Sequence, residues 1–120
     1  MDFSLTKEQK DIKRAAAEFA KGEFDNVMIM ECEKNHTFPK SIYKKAGELG
    51  FIGLDYSERL GGAGLGVQEN VIVIEEFCKA DSGTGMALHL AFLPAKIVKF
   101  FGSEQQCEKY LLPVVGGDWV

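Results

Sequence analysis

Residues 60–78 read LGGAGLGVQENVIVIEEFC, and the fold turns on whether the glycines cradle a phosphate or make a turn. Gly61, Gly62, Gly64 and Gly66 follow the short apolar run Phe51-Ile52-Gly53-Leu54, and Asp81 lies downstream, which is the outline of a dinucleotide-binding βαβ unit. The spacing opposes it. From Gly62 the pattern is G-A-G-L-G-V, with the third glycine one position early, and no lysine follows to make a Walker loop. Glycines so arranged make a turn. The β-branched run Val71-Ile72-Val73-Ile74 resembles a strand, but Val67, Val71, Ile74, Phe77 and Cys78 recur at helical spacing. Glu69, Asn70, Glu75 and Glu76 fill the opposite face. A turn leading into an amphipathic helix predicts an all-α chain.

The flanking segments agree. Thr6-Lys7-Glu8-Gln9 is a capping box, in which Thr6 accepts from the Gln9 amide and the Gln9 side chain returns the bond. The apolar face from Ile12, Ala16 and Phe19 is expected to continue past Gly22 through Val27, Met28 and Met30 to about Lys34. Pro39 opens a second helix, with Ile42, Tyr43, Ala46 and Leu49 inward and Gly50 as its left-handed stop. Asp81-Ser82-Gly83 ends the helix after the glycine turn and caps the next. That next helix, Thr84 to Leu93, is almost wholly apolar and is expected to be buried on most sides, with Pro94 kinking or interrupting it. Ser103 to Gln106 is a second capping box, opening a short helix that is expected to end at Leu112-Pro113. The expectation is a bundle of five to six helices.

Composition narrows the function classes. A chain of 120 residues with a formal charge of −4 is one ordinary domain, with too little positive charge to favour nucleic acid. Lys40, Lys44 and Lys45 read as a solvated helix face. Cys32, Cys78 and Cys107 are widely spaced without a CxxC, so they read as small buried apolar residues. The start MDFSLTKEQK is polar, and no apolar stretch reaches the roughly 18 residues of a membrane span. A cytoplasmic or, after processing, mitochondrial matrix location is expected.

Few residues carry chemistry. Cys32 and His36 stand four apart, but two ligands do not make a metal site, and no metal is expected. Glu75 and Glu76 point about 100° apart on a helix and read as solvated carboxylates. His89, between Leu88 and Leu90, is either a core histidine satisfied by a neighbour or the lining of a cavity. No nucleophile has a visible base partner.

Several stretches in order resemble the N-terminal helical domain of acyl-CoA dehydrogenases. They are Phe3 to Gln9, His36 to Pro39, Ala46 to Phe51, and Ser57 to Gly66, which is similar to that family's P-E-E-Y-G-G-x-G-L turn. Glu75-Glu76-Phe77, Gly102 to Gln106 and Lys109 to Pro113 complete them. Ser57 and Leu60 stand where the family usually has proline and tyrosine.

The resemblance implies an FAD-dependent α,β-desaturation of an acyl-CoA thioester, a carboxylate taking the α-proton and the flavin accepting hydride from the β-carbon. It implies an electron-transferring flavoprotein as acceptor and a homodimer or homotetramer as the assembly. It divides the chain into a helical domain, residues 1–113, and the start of a linker toward a β-domain, residues 114–120. No catalytic residue is expected before Val120, and FAD is expected to be held mainly by other parts of the enzyme. This domain's share is to wall the acyl cavity with Thr84, Gly85, Leu88, His89 and Phe92. The last four lie at i, i+3, i+4 and i+7, on one helix face. Gly85 would make room, and Met86 and Phe92 would fill it. The glutaryl-specific branch carries an arginine matching Thr84, so a dicarboxylate substrate is disfavoured. An acyl-CoA oxidase or flavin monooxygenase relative, or a non-catalytic acyl- or protein-binding module, are the alternatives.

Overall fold

The computed structural model describes residues 3–120; Met1 and Asp2 of the polar start lie outside the described residues. The described residues form α1 (Lys7–Glu23), α2 (Asn26–Asn35), α3 (Lys40–Glu48), α4 (Val67–Ala80), α5 (Ser82–Phe92), α6 (Ala95–Phe101) and α7 (Glu104–Val115). A single 3₁₀ turn, Glu58–Leu60, interrupts the connection between α3 and α4, and no strand occurs among the described residues. The chain is all-α. Its principal extents are 41 × 40 × 21 Å, so it is two helix diameters thick.

Local chemistry sets the helix ends. Both capping boxes form: Gln9 N donates to Thr6 Oγ1 at 3.1 Å, and Gln106 N to Ser103 Oγ at 3.2 Å. Asp81 caps α5 by accepting from Thr84 N at 2.6 Å, and Gly50 adopts φ +80° after α3. The expected long first helix is two helices. The chain turns at Phe24, and Asp25 starts α2 by accepting from Val27 N at 3.0 Å, so a cap inside the apolar run overrides the run. The expected stop of α7 at Leu112-Pro113 also gives way. Pro113 lies inside the helix, which ends at Val115, and its carbonyl accepts the amides of Asp118 and Trp119 as the chain folds back.

α4 is the central helix, packed between α1 and α5, while α6 packs on α7. Phe19, Phe24, Phe51 and Phe77 form an aromatic cluster between α1 and α4, with Phe19 and Phe51 centroids 5.2 Å apart. Glu76 is not the solvated carboxylate its sequence context suggests. It is buried and paired with Lys13 of α1 at 3.4 Å and Lys79 at 2.8 Å, so it ties α1 to α4. A second cluster joins Tyr56 and Leu60 to Cys107, Leu111 and Val115 of α7. Cys107 is buried there, whereas Cys32 and Cys78 are half-buried.

α3 receives the end of the chain. A Cβ on Gly47 would lie 2.5 Å from the backbone of Gly116 and Gly117, so two backbones meet where neither carries a side chain. The Tyr43 hydroxyl donates to the Val114 carbonyl at 3.1 Å, and Lys44 pairs with Asp118 at 2.6 Å. Residues 114–118 are thereby fastened to α3.

α5 kinks at Pro94 as expected, but it is not buried on most sides. Across Pro94 the backbone stays α-helical, with Leu93 at φ −57° and Pro94 at φ −61°. Ser82–Phe101 is therefore one kinked helical stretch of 20 residues with mean hydropathy 1.2, long and apolar enough by length and composition to cross a membrane. Its buried residues are Thr84, toward α2, and Gly85, Leu88 and Phe92, toward α4, and none of α6 is buried. Lys96 and Lys99 within it make ion pairs to Asp55, and the inner face of its α5 part packs against α4.

Candidate functional site

The glycine turn offers no phosphate cradle. Gly61 N donates to Glu58 O, Gly62 N to Ser57 O, Gly64 N to Tyr56 O and Leu65 N to Leu54 O. Gly66 N donates to Glu69 Oε2 at 2.9 Å, which puts the chain's own carboxylate at the N-terminus of α4, where an anion would sit. Gly62 is glycine because a Cβ there would strike the carbonyl oxygen of Tyr56. The turn is closed by internal hydrogen bonds and leads the chain into α4.

The α4–α5 face is where four of the five residues expected in the acyl wall come together. Gly85, Leu88, His89 and Phe92 line a crevice with Val73 and Phe77 of α4. The space between their atoms, about 240 Å³ including its mouth, has interior room for about one water molecule. Leu88 and Phe92 are fully buried. Gly85 lets α5 approach α4: a Cβ there would lie 2.7 Å from Cys78 N. Its bare α-carbon therefore meets a helix backbone.

His89 stands at the edge of this crevice. Its ring is half-buried and packs edge-to-face on Phe92 at 5.3 Å between centroids. Nδ1 is buried with no protein partner. Burial, and then the nearby Lys96 charge, hold the imidazole pKa below its ordinary value, so the ring is neutral near pH 7. A neutral imidazole with an unsatisfied nitrogen in an apolar crevice takes a hydrogen bond from whatever small polar group reaches it.

Thr84 belongs to a different surface. It is buried on the α2 side of α5, in a groove with Ile29, Cys32, Glu33, His36 and Ala87. His36 is the left-handed residue that ends α2, at φ 52°. Among the described residues no three His, Cys, Asp or Glu side chains form a metal-binding group.

Sequence reasoning missed a second apolar surface. Met86, Leu90, Leu93 and Ile97 follow one another at i, i+4, i+7 and i+11, and they point outward: Leu90 is 52% exposed and Ile97 64%. Phe100 and Phe101 extend the same surface on α6, with Phe101 86% exposed. An exposed stripe of this kind marks a surface that receives something. The helical spacing of these four residues was visible, but an apolar helix does not reveal which side faces the core.

The comparisons agree with the fold. The profile described as acyl-CoA dehydrogenase, N-terminal domain, matches residues 6–118. The chain is 35% identical over 119 residues to the short-chain specific acyl-CoA dehydrogenase of Clostridium acetobutylicum, covering 98% of this chain and 31% of that protein. A chain in the structure of the electron-transferring flavoprotein of Acidaminococcus fermentans superposes with a TM-score of 0.84 at 40% identity, covering 98% of this chain and 31% of that one. The acyl-CoA dehydrogenase of Bacillus anthracis, in complex with FAD, superposes with a TM-score of 0.79 at 29% identity, covering 96% of this chain and 20% of that one. The chain thus spans about a third of the length of the curated relative it matches. Matched by that family's model over residues 6–118, the chain belongs to the acyl-CoA dehydrogenase family, as its N-terminal domain.

Proposed function

We propose that this domain serves a flavin-dependent acyl-CoA dehydrogenase that desaturates short acyl-CoA thioesters between the α and β carbons. The observation that carries the reading is α5, packed against α4 on one side and presenting on the other an exposed apolar stripe that continues onto α6. A wall of this kind suits an acyl chain, since burying each methylene contributes about 0.8 kcal/mol. Met86, Leu90 and Leu93 supply the surface, and His89, at the crevice edge, adds a neutral polar contact. Leu88, Phe92 and Gly85 hold the wall against α4, and Thr84 fixes its first turn on the α2 side.

FAD is the cofactor of this reading, and when bound it would accept the hydride. Its phosphates do not fit the glycine turn, whose amides at Gly61, Gly62, Gly64, Leu65 and Gly66 are already bonded within the chain. In this reading other parts of the enzyme hold the flavin phosphates and supply the carboxylate base. On the same reading the helical domain runs to the end of α7 at Val115, and the residues after it, docked on α3, lead toward the flavin-binding part. An electron-transferring flavoprotein takes the electrons from a homodimeric or homotetrameric enzyme in the cytoplasm or the mitochondrial matrix.

The test is the absorbance of the native enzyme that carries this domain, titrated anaerobically with butyryl-CoA. Bleaching of an oxidised flavin band is the expected result. A protein without flavin, or a flavin that no acyl-CoA reduces, would overturn the proposal.

A further inference from the structure

Asp55 is a buried carboxylate outside the acyl wall, with its side chain 8% exposed, in the connection between α3 and α4. Two lysines of α6 converge on it: Lys96 Nζ lies 3.5 Å and Lys99 Nζ 3.3 Å from Oδ2. Lys99 also donates to the Asp55 carbonyl at 2.7 Å and lies 4.6 Å over the Tyr56 ring. The other carboxylate oxygen accepts from Asn70 Nδ2 of α4 at 2.5 Å. Burial alone would raise the carboxyl's pKa, but the Asn70 hydrogen bond and the two lysine charges outweigh it and hold the group below its usual range. Asp55 is therefore ionised and fully engaged.

α6 has few other attachments. None of its residues is buried, and Pro94 lacks the amide that would bond back into α5. The joint is closed by tighter bonds, Lys96 N to Leu93 O at 3.1 Å and Ile97 N to Pro94 O at 3.0 Å. What remains is packing on α7, where Cys107 Sγ donates to the Val98 carbonyl at 3.3 Å, and the grip of Asp55. Ile97, the stripe residue that lies beyond the kink, sits between the two lysines in sequence. The angle of α6 to α5 thus decides whether the stripe runs straight across the kink.

We infer that Asp55 is a positioning residue for the acyl wall: by latching Lys96 and Lys99 it fixes α6 against α4 and keeps Ile97 in line with Met86, Leu90 and Leu93. The inference rests on the reading of that stripe as the acyl wall. It requires neither contact between Asp55 and substrate nor any exchange of protons.

The test compares Asp55→Asn, and separately the double variant Lys96→Met with Lys99→Met, with the wild type in the full enzyme that carries this domain. Methionine keeps the apolar stems and removes only the charges. Hydrogen exchange reads residues 95–101 against α1 and α4, and kcat/KM is measured along an acyl-CoA chain-length series. The expected result is exchange about tenfold faster at 95–101 with α1 unchanged. Chain-length preference should shift about threefold while kcat on the best substrate stays within about twofold.

Unchanged exchange at 95–101 in the double variant would overturn the latch. Faster exchange with an unaltered chain-length preference would overturn its role in the wall. Should Asp55→Asn loosen α1 as well, the double variant decides. A wild-type enzyme that turns over no acyl-CoA would sink the functional reading, while hydrogen exchange would still decide the latch.

Discussion

Gly85 lies so close to Cys78 that a Cβ on it would stand 2.7 Å from the Cys78 amide nitrogen and 2.8 Å from its Sγ. The amide belongs to the α4 backbone and cannot move aside. Gly85→Ala should therefore cost about 1–3 kcal/mol, the range of overpacking in a closed core, seen as a lower Tm by calorimetry. Gly22, near the end of α1, has nothing within 4 Å of its would-be Cβ. Gly22→Ala should stabilise by about 0.5–1 kcal/mol, and the opposite signs separate packing from helix propensity.

The contact between Gly47 and the Gly116-Gly117 backbone supports a second prediction. Gly47→Ala should release residues 114–118 from α3, breaking the Tyr43–Val114 hydrogen bond along with the close approach. The expected cost is about 2 kcal/mol, with hydrogen exchange accelerating at 114–118 before it does in α1. Uniform acceleration along the chain would contradict it.

Much of this was legible in the sequence, because caps are local chemistry. Thr6–Gln9, Asp81 and Ser103–Gln106 act through residues three apart, and all three form. Asp25 is the same kind of signal, and its cap starts a new helix although the apolar face runs on to Met30. Pro113 misled in the opposite direction. Proline usually stops a helix, but here the returning amides of Asp118 and Trp119 bond to its carbonyl, a partnership set by the tail's docking on α3. The inner and outer faces of α5 could not be told apart by hydropathy, since Leu88 and Leu90 are chemically identical and only α4 distinguishes them. Asp55 was unreadable for the same reason: its lysine partners lie about 40 residues away.

A third prediction concerns Asp81. Its side chain accepts the Thr84 amide at 2.6 Å and fixes the first turn of α5. Asp81→Ala should cost about 1 kcal/mol in thermal stability, and Asp81→Asn or Asp81→Ser should recover most of it.

The burial of His89 gives a pH dependence of definite sign. Its folded pKa lies below the unfolded value of 6.5, so the unfolded chain binds the proton more tightly. The neutral ring's contribution is complete above that unfolded value, declines as pH falls below it, and levels off below the folded pKa. The Tm of wild type should fall more than that of His89→Phe between about pH 7 and pH 5. Parallel curves would show that the ring is not buried as described.

The central claim is that α5 walls the acyl chain, and the chain-length profile of the full enzyme tests it most directly. The measurement is kcat/KM for butyryl-CoA relative to octanoyl-CoA in wild type, His89→Leu and Leu90→Ala. Removing the polar contact or widening the wall should shift that ratio about threefold or more toward the longer chain, since a methylene's worth of pocket contributes about 1 kcal/mol or more. An unchanged ratio in both variants, with flavin still reduced, would contradict the account.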